Sequence, residues 1–584
     1  MKNNEMLERL FFKLLPVQIL IVAMGSVNLI VDGAVAGRCV DASTVGVVGL
    51  YFPMVNALTA VGSVLLGGAS VLCGRAMGSG DLEKTRSIFT MDLGAALAAG
   101  ALLTAVSFIM PGAIADLLGA DSDLRPALIS YIRGYAAGII PMLLAQQIAA
   151  FLQMERQSAR GYAGIAGMVA ANVIFDILFV AVLGKGAWGL ALATSLSNWV
   201  YLMILIPYYL SGRSQLRAGR EYKDFKVLGS MIAVGAPGAV LVFTLAIRGI
   251  VINRILLAYA GNDGLSAQSA FNMINGLFYA FALGTGAALR MLASVFYGEE
   301  DTDSLRRLLK LALTRCLPIS LAVSAAAVLV SSPVSALFFP DRSSEVYALT
   351  HQLFVICGCC IPLIVLCQAV ANYLQACGHN IYVNILSVFD GFFSMVIPSL
   401  ILAPKMGALG VWLANPVGIL MTLLLSLCYA CVFNRRFPRG DDLLMLRPGF
   451  GVSAGDRLDI PLRSMADVTD TAVRVQTFCK EHGLDNRTSY YAALCLEEMA
   501  GNVVDHGFTK DEKDHMAEAH VVYKDGNIML RIKDDCIPFD PMERAAMFDP
   551  DDPYRNIGLK MVIDLAKEIT YQNMMGLNVL TIRL

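Results

Sequence analysis

Charge is what this sequence has least of. Asp, Glu, Lys and Arg make up 16% of its 584 residues, against about a quarter in an ordinary globular chain. That level excludes a disordered chain and argues against a wholly soluble enzyme. The balance of charge is also nearly neutral, at −2, so no basic field exists to attract nucleic acid. The phosphate loop GxxxxGK[ST] is absent throughout, which excludes a P-loop motor. The 13 cysteines form no disulfide framework. Cys357, Cys359 and Cys360, and the pair Cys428 and Cys431, have metal-like spacing but no His or second CxxC nearby, so they read as small apolar helix residues. The opening stretch MKNNEMLERLFFKLL lacks a small-residue cleavage site and is not expected to be a removable signal. What is abundant is hydrophobic surface, 56% of residues, with a mean hydropathy of +0.61. A multi-pass membrane protein follows.

A helix crosses the hydrocarbon with about 20 mostly apolar residues. Twelve segments meet that length, near 14–34, 45–71, 88–111, 128–152, 162–183, 187–210, 229–259, 267–293, 307–331, 346–373, 382–402 and 407–433. One set of loops carries Lys84, Arg86, Arg156, Arg160, Lys223, Arg306, Arg307 and Arg435, whereas the opposite set holds only Arg38, Arg125, Lys185, Arg342 and Lys405. The Lys/Arg excess marks the cytoplasmic side, so both termini are expected there, in a cell membrane.

The membrane part repeats itself at an offset of about 221 residues. Pro16 matches Pro237, Gly78 matches Gly298, Pro141 matches Pro362, and Gly186-Ala187-Trp188-Gly189 matches Gly407-Ala408-Leu409-Gly410. Two six-helix lobes in parallel order, about 10–215 and 225–435, explain the offset, and a cavity between such halves is a common transporter design.

Ionisable groups inside spans default to function. Asp32 lies in span 1, and Asn172 and Asp176 share a face of span 5. These oxygens could hold a proton or bind Na⁺, or Asp32 could simply pair with Arg38. Asp390, Arg248 and Arg254 in the second half are expected to pair with one another or to face a water-filled cavity, and Asp92 is expected near enough to an end of span 3 to be solvated.

Several of these residues carry a family resemblance. Pro16, the stretch Asp32–Arg38, Gly78-Ser79-Gly80-Asp81 with Lys84 and Arg86, the Asn172/Asp176 pair, and Gly186-x-x-Gly189-Leu190-Ala191-Leu192-Ala193-Thr194 resemble the multidrug and toxic compound extrusion family. Gly298-Glu299-Glu300-Asp301 echoes the loop at residue 78. The resemblance covers roughly 10–435 and implies alternating access with export of small organic cargo in exchange for H⁺ or Na⁺. It also implies a first-lobe cation site of Asp32, Asn172 and Asp176. Family members with a second-lobe site use acids where this chain has Asn253, Asn272, Asn275, Gln368 and Asn372.

The chain changes character after residue 440. A linker is expected over 441–460, and residues 461–584 read as an α+β domain. Helices are predicted over 464–482, 487–505 and 557–567. Strands are predicted around the Lys524-Asp525-Gly526 turn, with a closing hairpin of 568–573 and 578–584. Glu498 and Asn502 fall on one helix face; such a carboxylate can polarise a hydroxyl and such an amide oxygen can ligate Mg²⁺. Glu498-x-x-x-Asn502-x-x-x-His506-Gly507, then Asp534-Asp535-Cys536-Ile537-Pro538-Phe539-Asp540-Pro541, then Asn556-Ile557-Gly558-Leu559-Lys560 resemble the three boxes of the histidine-kinase-like ATPase fold. The anti-sigma-factor serine kinases are the subtype they resemble most.

That resemblance implies ATP and Mg²⁺ as cofactors. Glu498 becomes the general base of a serine/threonine kinase, Asn502 the Mg²⁺ ligand, Asp534 the partner of the adenine amino group, and Gly558 part of the ATP lid. Cys536 and Asn556 stand where glycines are expected. The fold class is therefore an all-α polytopic membrane domain of twelve helices in two lobes, followed by an α+β sandwich. The first functional expectation is an ion-coupled exporter with a regulatory ATP-binding domain. The alternative is a membrane receptor controlling a kinase or sequestering domain, and a third is a flippase for lipid-linked cargo. Expected partners are membrane lipid, small organic cargo and a regulatory protein of STAS or similar type, with no nucleic acid.

Overall fold

The computed structural model describes residues 5–39, 42–118, 124–155, 157–212, 214–510, 514–524, 526–542 and 557–584. The side chains of residues 5, 24–39, 42–46, 49, 52, 220, 454 and 574 lie outside that description.

Long apolar helices fill the first three quarters of the chain. Among the described residues nine are long and apolar enough to cross a membrane, and the bent pair Arg125–Ala136 and Ile139–Met154 makes a tenth. One of them, Phe225–Gly298, runs 74 residues. As a single rod it would reach about 110 Å, several times the hydrocarbon thickness of about 30 Å. It breaks at Gly261, whose φ of 62° and ψ of −159° are not helical. Only glycine takes that conformation at little cost, so the segment is two helices, as the sequence predicts. With Glu5–Cys39 as span 1 and the bent pair as span 4, the long helices among the described residues number twelve: spans 2 and 3 at Ala42–Ser79 and Leu82–Ile109, span 5 at Ser158–Val182 and span 6 at Gly186–Leu210. Spans 7 and 8 lie on either side of Gly261. Spans 9 to 12 are Thr302–Phe338, Glu345–Ala376, Asn380–Met406 and Ala408–Asn434.

The repeat is visible in backbone geometry. Span 2 ends with Gly80 at φ 83°, and span 8 ends with Glu300 at φ 55°. In both, the next aspartate closes the turn: Asp81 N donates to Ala76 O at 2.9 Å, and Asp301 N to Phe296 O at 2.9 Å. Each aspartate then caps the following helix, accepting from Lys84 N at 2.9 Å and from Ser304 N at 2.9 Å. A left-handed residue after the helix and an acidic N-cap on the next are two standard terminators placed back to back.

Along span 2 the two lobes touch backbone to backbone. A Cβ on Gly235 would stand 1.8 Å from Val64 O, and one on Gly298 would stand 2.1 Å from Arg75 O. Glycine is therefore required for spans 2, 7 and 8 to cross. Arg75 completes the seal by donating to Gln375 O at 3.1 Å and to Ala376 O at 2.7 Å.

The C-terminal domain is an antiparallel sheet of order β1-β2-β3-β5-β4, made of Arg457–Leu462, Ala517–Lys524, Asn527–Asp534, Glu568–Met574 and Leu577–Arg583. Helices Met465–Glu481, Asn486–Asn502 and Ile557–Leu565 cover one face. Their core takes Val521, Leu530, Ile532, Leu496 and Met499. Alternation along β2 and β3 sends His520, Arg531 and Lys533 to the other face, yet these too are buried. What covers them is the membrane domain. Met575 and Val579 join the cluster containing Phe151, Met154 and Leu216. The stretch expected as a linker is likewise packed: Tyr373 Oη donates to Leu444 O at 2.9 Å, and Phe450 stacks on Tyr297. β1 already begins at Arg457 within it.

Candidate functional site

Three groups of residues carry chemistry: a polar pair in span 5, a cavity in the C-terminal domain, and a charged network joining the two domains.

Asn172 and Asp176 are one helical turn apart and both are fully buried. Neither the nitrogen nor the oxygen of the Asn172 amide makes a hydrogen bond among the described residues, an expensive state for a buried polar group. Directly after Asp176 the helix widens into a π-turn, Ile177–Val182, a distortion frequent at functional positions. The same distortion recurs in the second lobe at Phe389–Phe393, around Asp390. Span 1 packs against span 5, but the Asp32 side chain lies outside the described residues, so the expected trio is seen only as the Asn172/Asp176 pair.

The second lobe departs from expectation in part. Asp390 accepts from Thr422 at 3.1 Å, and Arg248 donates to the Asp390 carbonyl at 3.4 Å, so those two meet. Arg254 does not join them and is exposed. Asp92, expected to be solvated, is instead fully buried, and neither carboxylate oxygen has a hydrogen-bond partner among the described residues. Span 3 begins at Leu82, which places Asp92 almost three turns inside it, too deep to reach water from the end.

In the C-terminal domain a cavity of about 580 Å³ lies between the sheet and its helices, lined by Glu498, Asn502, Lys510, Asp534, Cys536 and Phe539 among others. Asn502 Nδ2 donates to Glu498 Oε1 at 3.4 Å, as their one-turn spacing predicts. Here too a π-turn, Val503–Gly507, follows the key asparagine. Asp534 lies at the floor. Its Oδ1 accepts from Asn578 Nδ2 at 2.7 Å and from Cys536 N at 3.0 Å, while burial pushes its carboxyl above the ordinary range. Tyr571 and Asn573 hold Asn578 in place, donating to its Oδ1 at 2.9 and 2.7 Å. These partners lie on the closing hairpin, far away in sequence.

Cys536 does not adopt positive φ, so no left-handed glycine is needed there. Its sulfur lies against Gly507 and leaves the cavity open. Gly558 approaches Glu498 so closely that a Cβ would stand 1.9 Å from Oε1. The lid stretch 543–556, including Asn556, lies outside the described residues. His515, Asp535 and Cys536 offer ligand atoms within 4.8 Å of one another at the cavity edge.

The charged network was not expected. Lys533 Nζ bonds Glu299 Oε2 at 2.6 Å with side chains 6% and 1% exposed. Arg457 bonds Asp301 at 2.5 Å and Asp459 at 2.7 Å, and His520 bonds Asp459 at 2.7 Å. Lys524 pairs with Glu300 at the rim. Burial opposes the Asp301 charge, but the Arg457 guanidinium outweighs it and holds the carboxyl well below its usual range. Asp459 is likewise brought down to about 2, against burial, by His520 and Arg457. The first lobe is gripped as well: Met575 N donates to Met154 O at 2.5 Å, and Asn573 N to Gln215 Oε1 at 3.1 Å. The sheet therefore holds both lobes at once.

Comparison with known proteins agrees with this architecture. The MatE family model matches residues 18–178 and 237–398, one stretch in each lobe, which together exceed half the chain. The model described as "Histidine kinase-like ATPase domain" matches residues 463–584. The "Probable multidrug resistance protein YoeA" of Bacillus subtilis is 21% identical over 415 residues, covering 69% of this chain and 89% of its own. The "Multidrug export protein MepA" of Staphylococcus saprophyticus is 23% identical over 236 residues, covering 39% and 51%. A solved structure described as the "Outward-facing conformation of a multidrug resistance MATE family transporter of the MOP superfamily" superposes with a TM-score of 0.67 at 20% identity, over 72% of this chain and 94% of that one, so its fold is shared. Two six-helix lobes, each matched by the same model, and a C-terminal ATPase-like domain identify the chain as a multi-pass membrane protein that belongs to the MatE transporter family.

Proposed function

We propose that this chain exports small organic compounds across the cell membrane in exchange for H⁺ or Na⁺, and that its C-terminal domain binds Mg²⁺-ATP and regulates the exchange. The observation that carries the reading is the docking of the C-terminal sheet on both lobes, beside the helix ends that must separate for the transporter to change access. The relatives named for multidrug export support the transport half. The Lys/Arg bias of the loops supports cytoplasmic termini, so the docked face is the cytoplasmic one.

Asp32, Asn172 and Asp176 form the coupling site in this reading. The unbonded Asn172 amide beside a buried carboxylate suits an oxygen-coordinated cation or a carried proton. Export then requires that ion occupancy favours one access state.

The residues of the C-terminal cavity fit a nucleotide. Asp534 supplies a buried acceptor for an exocyclic amine, Asn502 an amide oxygen for Mg²⁺, Lys510 a cation for phosphate, and Glu498 a carboxylate able to take a proton from a hydroxyl. ATP supplies a transferable phosphoryl group when bound. A serine or threonine acceptor on a STAS-type regulatory partner suits that arrangement, and with one such domain on two lobes the role is regulation rather than power.

The same docking favours a second reading. Coupling between two sites is reciprocal, so cargo in the membrane domain could equally control the ATPase-like domain, as in a receptor. The test is dye flux in proteoliposomes holding the full chain, driven by a proton or sodium gradient, with Asp176→Asn alongside. Gradient-driven flux lost in the variant supports the exporter. No flux under either gradient, with cargo altering ATP affinity, supports the receptor.

A further inference from the structure

Between the lobes lies a cavity of about 490 Å³ whose wall includes Gln18, Asn56, Tyr131, Asn198, Met168 and Arg290. Among the described residues no aspartate or glutamate lines it, and Arg290 is its one charged side chain. Arg290 belongs to span 8, two turns before Gly298, about 12 Å inside the helix end that meets the C-terminal domain. It reaches the cavity from the second lobe, whereas most of the remaining wall belongs to the first.

The surroundings of Arg290 are incomplete. Its Nε is buried without a hydrogen-bond partner among the described residues. Nη1 donates to Gln375 Oε1 at 3.4 Å, and no carboxylate lies within ion-pair distance among the described residues. Other arginines within the spans are satisfied differently. Arg75 bonds three times to backbone carbonyls of residues 375 and 376, and Arg248 reaches Asp390. Asp390 shares a small side cavity with Arg290, but it bonds to Thr422 and Arg248. A guanidinium does not deprotonate in proteins. An unpaired one in the membrane interior is costly and marks a pathway or ligand site.

We infer that this cavity receives an organic anion, its carboxylate or phosphate held by the Arg290 guanidinium and its apolar body lying along the Tyr and Met side chains of the first lobe. The inference rests on the exporter reading for its transport role and on Arg290 alone for its charge selectivity. Guanidinium and oxyanion match in geometry, two parallel N–H donors to two oxygens. Among the described residues the rest of the wall is neutral, its amides and hydroxyls accommodating the polar remainder without offering a cation counter-charge. Anchoring cargo on span 8 while its body rests on the other lobe also means that one molecule touches both halves.

The probe is carboxyfluorescein, with rhodamine 6G as a cationic counterpart of similar ring size. Fluorescence anisotropy of each dye is titrated against the full chain in uncharged nanodiscs, and gradient-driven uptake is measured in proteoliposomes. Saturable carboxyfluorescein binding, weakened at least tenfold by Arg290→Gln and largely kept by Arg290→Lys, is expected, with little rhodamine 6G binding. Loss of a buried unpaired charge should not lower the melting temperature, so Arg290→Gln remains a folded comparison. Absent carboxyfluorescein binding, or binding unchanged in Arg290→Gln, overturns the inference. Rhodamine 6G pumping without carboxyfluorescein binding overturns it while leaving the exporter intact. Arg290-dependent dye binding with no flux under any gradient upholds the anion site and contradicts the exporter instead.

Discussion

Lys533 and Asp534 are neighbours on β3 that point to opposite faces of the sheet: Lys533 into its 2.6 Å ion pair with Glu299 of the membrane domain, Asp534 into the floor of the C-terminal cavity. Strand pleating makes this obligatory. A ligand that shifts Asp534 therefore acts one residue away from a buried contact that holds the second lobe. The coupling requires only that the strand take two positions, each favoured by a different ligand state.

Breaking that pair strands a buried charge: without Lys533, Glu299 keeps only the Arg531 guanidinium among the described residues, at 3.9 Å. Lys533→Met or Glu299→Gln is expected to weaken docking by about 3–5 kcal/mol, whereas the double variant Lys533→Met with Glu299→Leu should recover much of the loss. A double-mutant cycle on thermal unfolding, with protease sensitivity of the segment before β1 as a second readout, checks this. Additive losses would mean the two side chains do not interact.

The docking network titrates at both ends. Asp301 has its carboxyl lowered against burial by Arg457, so its contribution is complete above the ordinary value of about 4 and lost as pH falls through the depressed one. His520 is buried, which lowers its value, but bonds to Asp459 and Glu518 outweigh both that and the repulsion of Lys533 and leave it raised. Its contribution is complete below about 6.5 and is lost as pH rises through the raised value. Melting temperature should therefore decline from neutral to alkaline pH in the native chain. His520→Gln should flatten that decline and leave the acid limb in place.

Calorimetry on the full chain separates the roles in the C-terminal cavity. Asn502→Ala is expected to weaken Mg²⁺-ATP binding at least tenfold, and Glu498→Gln to preserve binding while abolishing any phosphoryl transfer. Cys536→Gly should change affinity by less than threefold, because Cys536 is not in the left-handed region and does not fill the cavity.

Two buried acids compete for the coupling role in the first lobe. Asp176→Asn is expected to abolish gradient-driven flux. Asp92→Asn replaces a carboxyl that no donor supports among the described residues with an uncharged amide, and is expected to retain flux. Flux lost in Asp92→Asn and kept in Asp176→Asn would move the coupling site to span 3.

Much of the architecture was legible because periodicity and punctuation report it directly. The turns at Gly78–Asp81 and Gly298–Asp301 repeat in sequence and in backbone geometry, and Gly261 divides spans 7 and 8 within the gap that the hydropathy pattern leaves. Glu498 and Asn502 fell together because four residues make one turn. The docking was not read. His520, Arg531 and Lys533 alternate with apolar residues, and that pattern means a wet face unless the face is known to be covered. Asn578, Tyr571 and Asn573 support Asp534 from a hairpin some 40 residues downstream, which no local spacing reveals. Asp92 was misplaced because hydropathy alone does not fix where a helix starts, and Arg290 drew no notice because a lone arginine in a span looks like any other until its neighbours are known.

The central claim is that nucleotide in the C-terminal cavity acts on the membrane domain, and dye flux with Mg²⁺-ATP on the docked face tests it most directly. Proteoliposomes with the full chain are given a fixed ion gradient, with and without nucleotide, and Asn502→Ala is run in parallel. A rate that changes at least threefold with Mg²⁺-ATP in the native chain, and stays constant in Asn502→Ala, is the result predicted. An unchanged rate in a native chain that calorimetry finds saturated with nucleotide would contradict the claim, leaving the docked sheet as a fixed structural support.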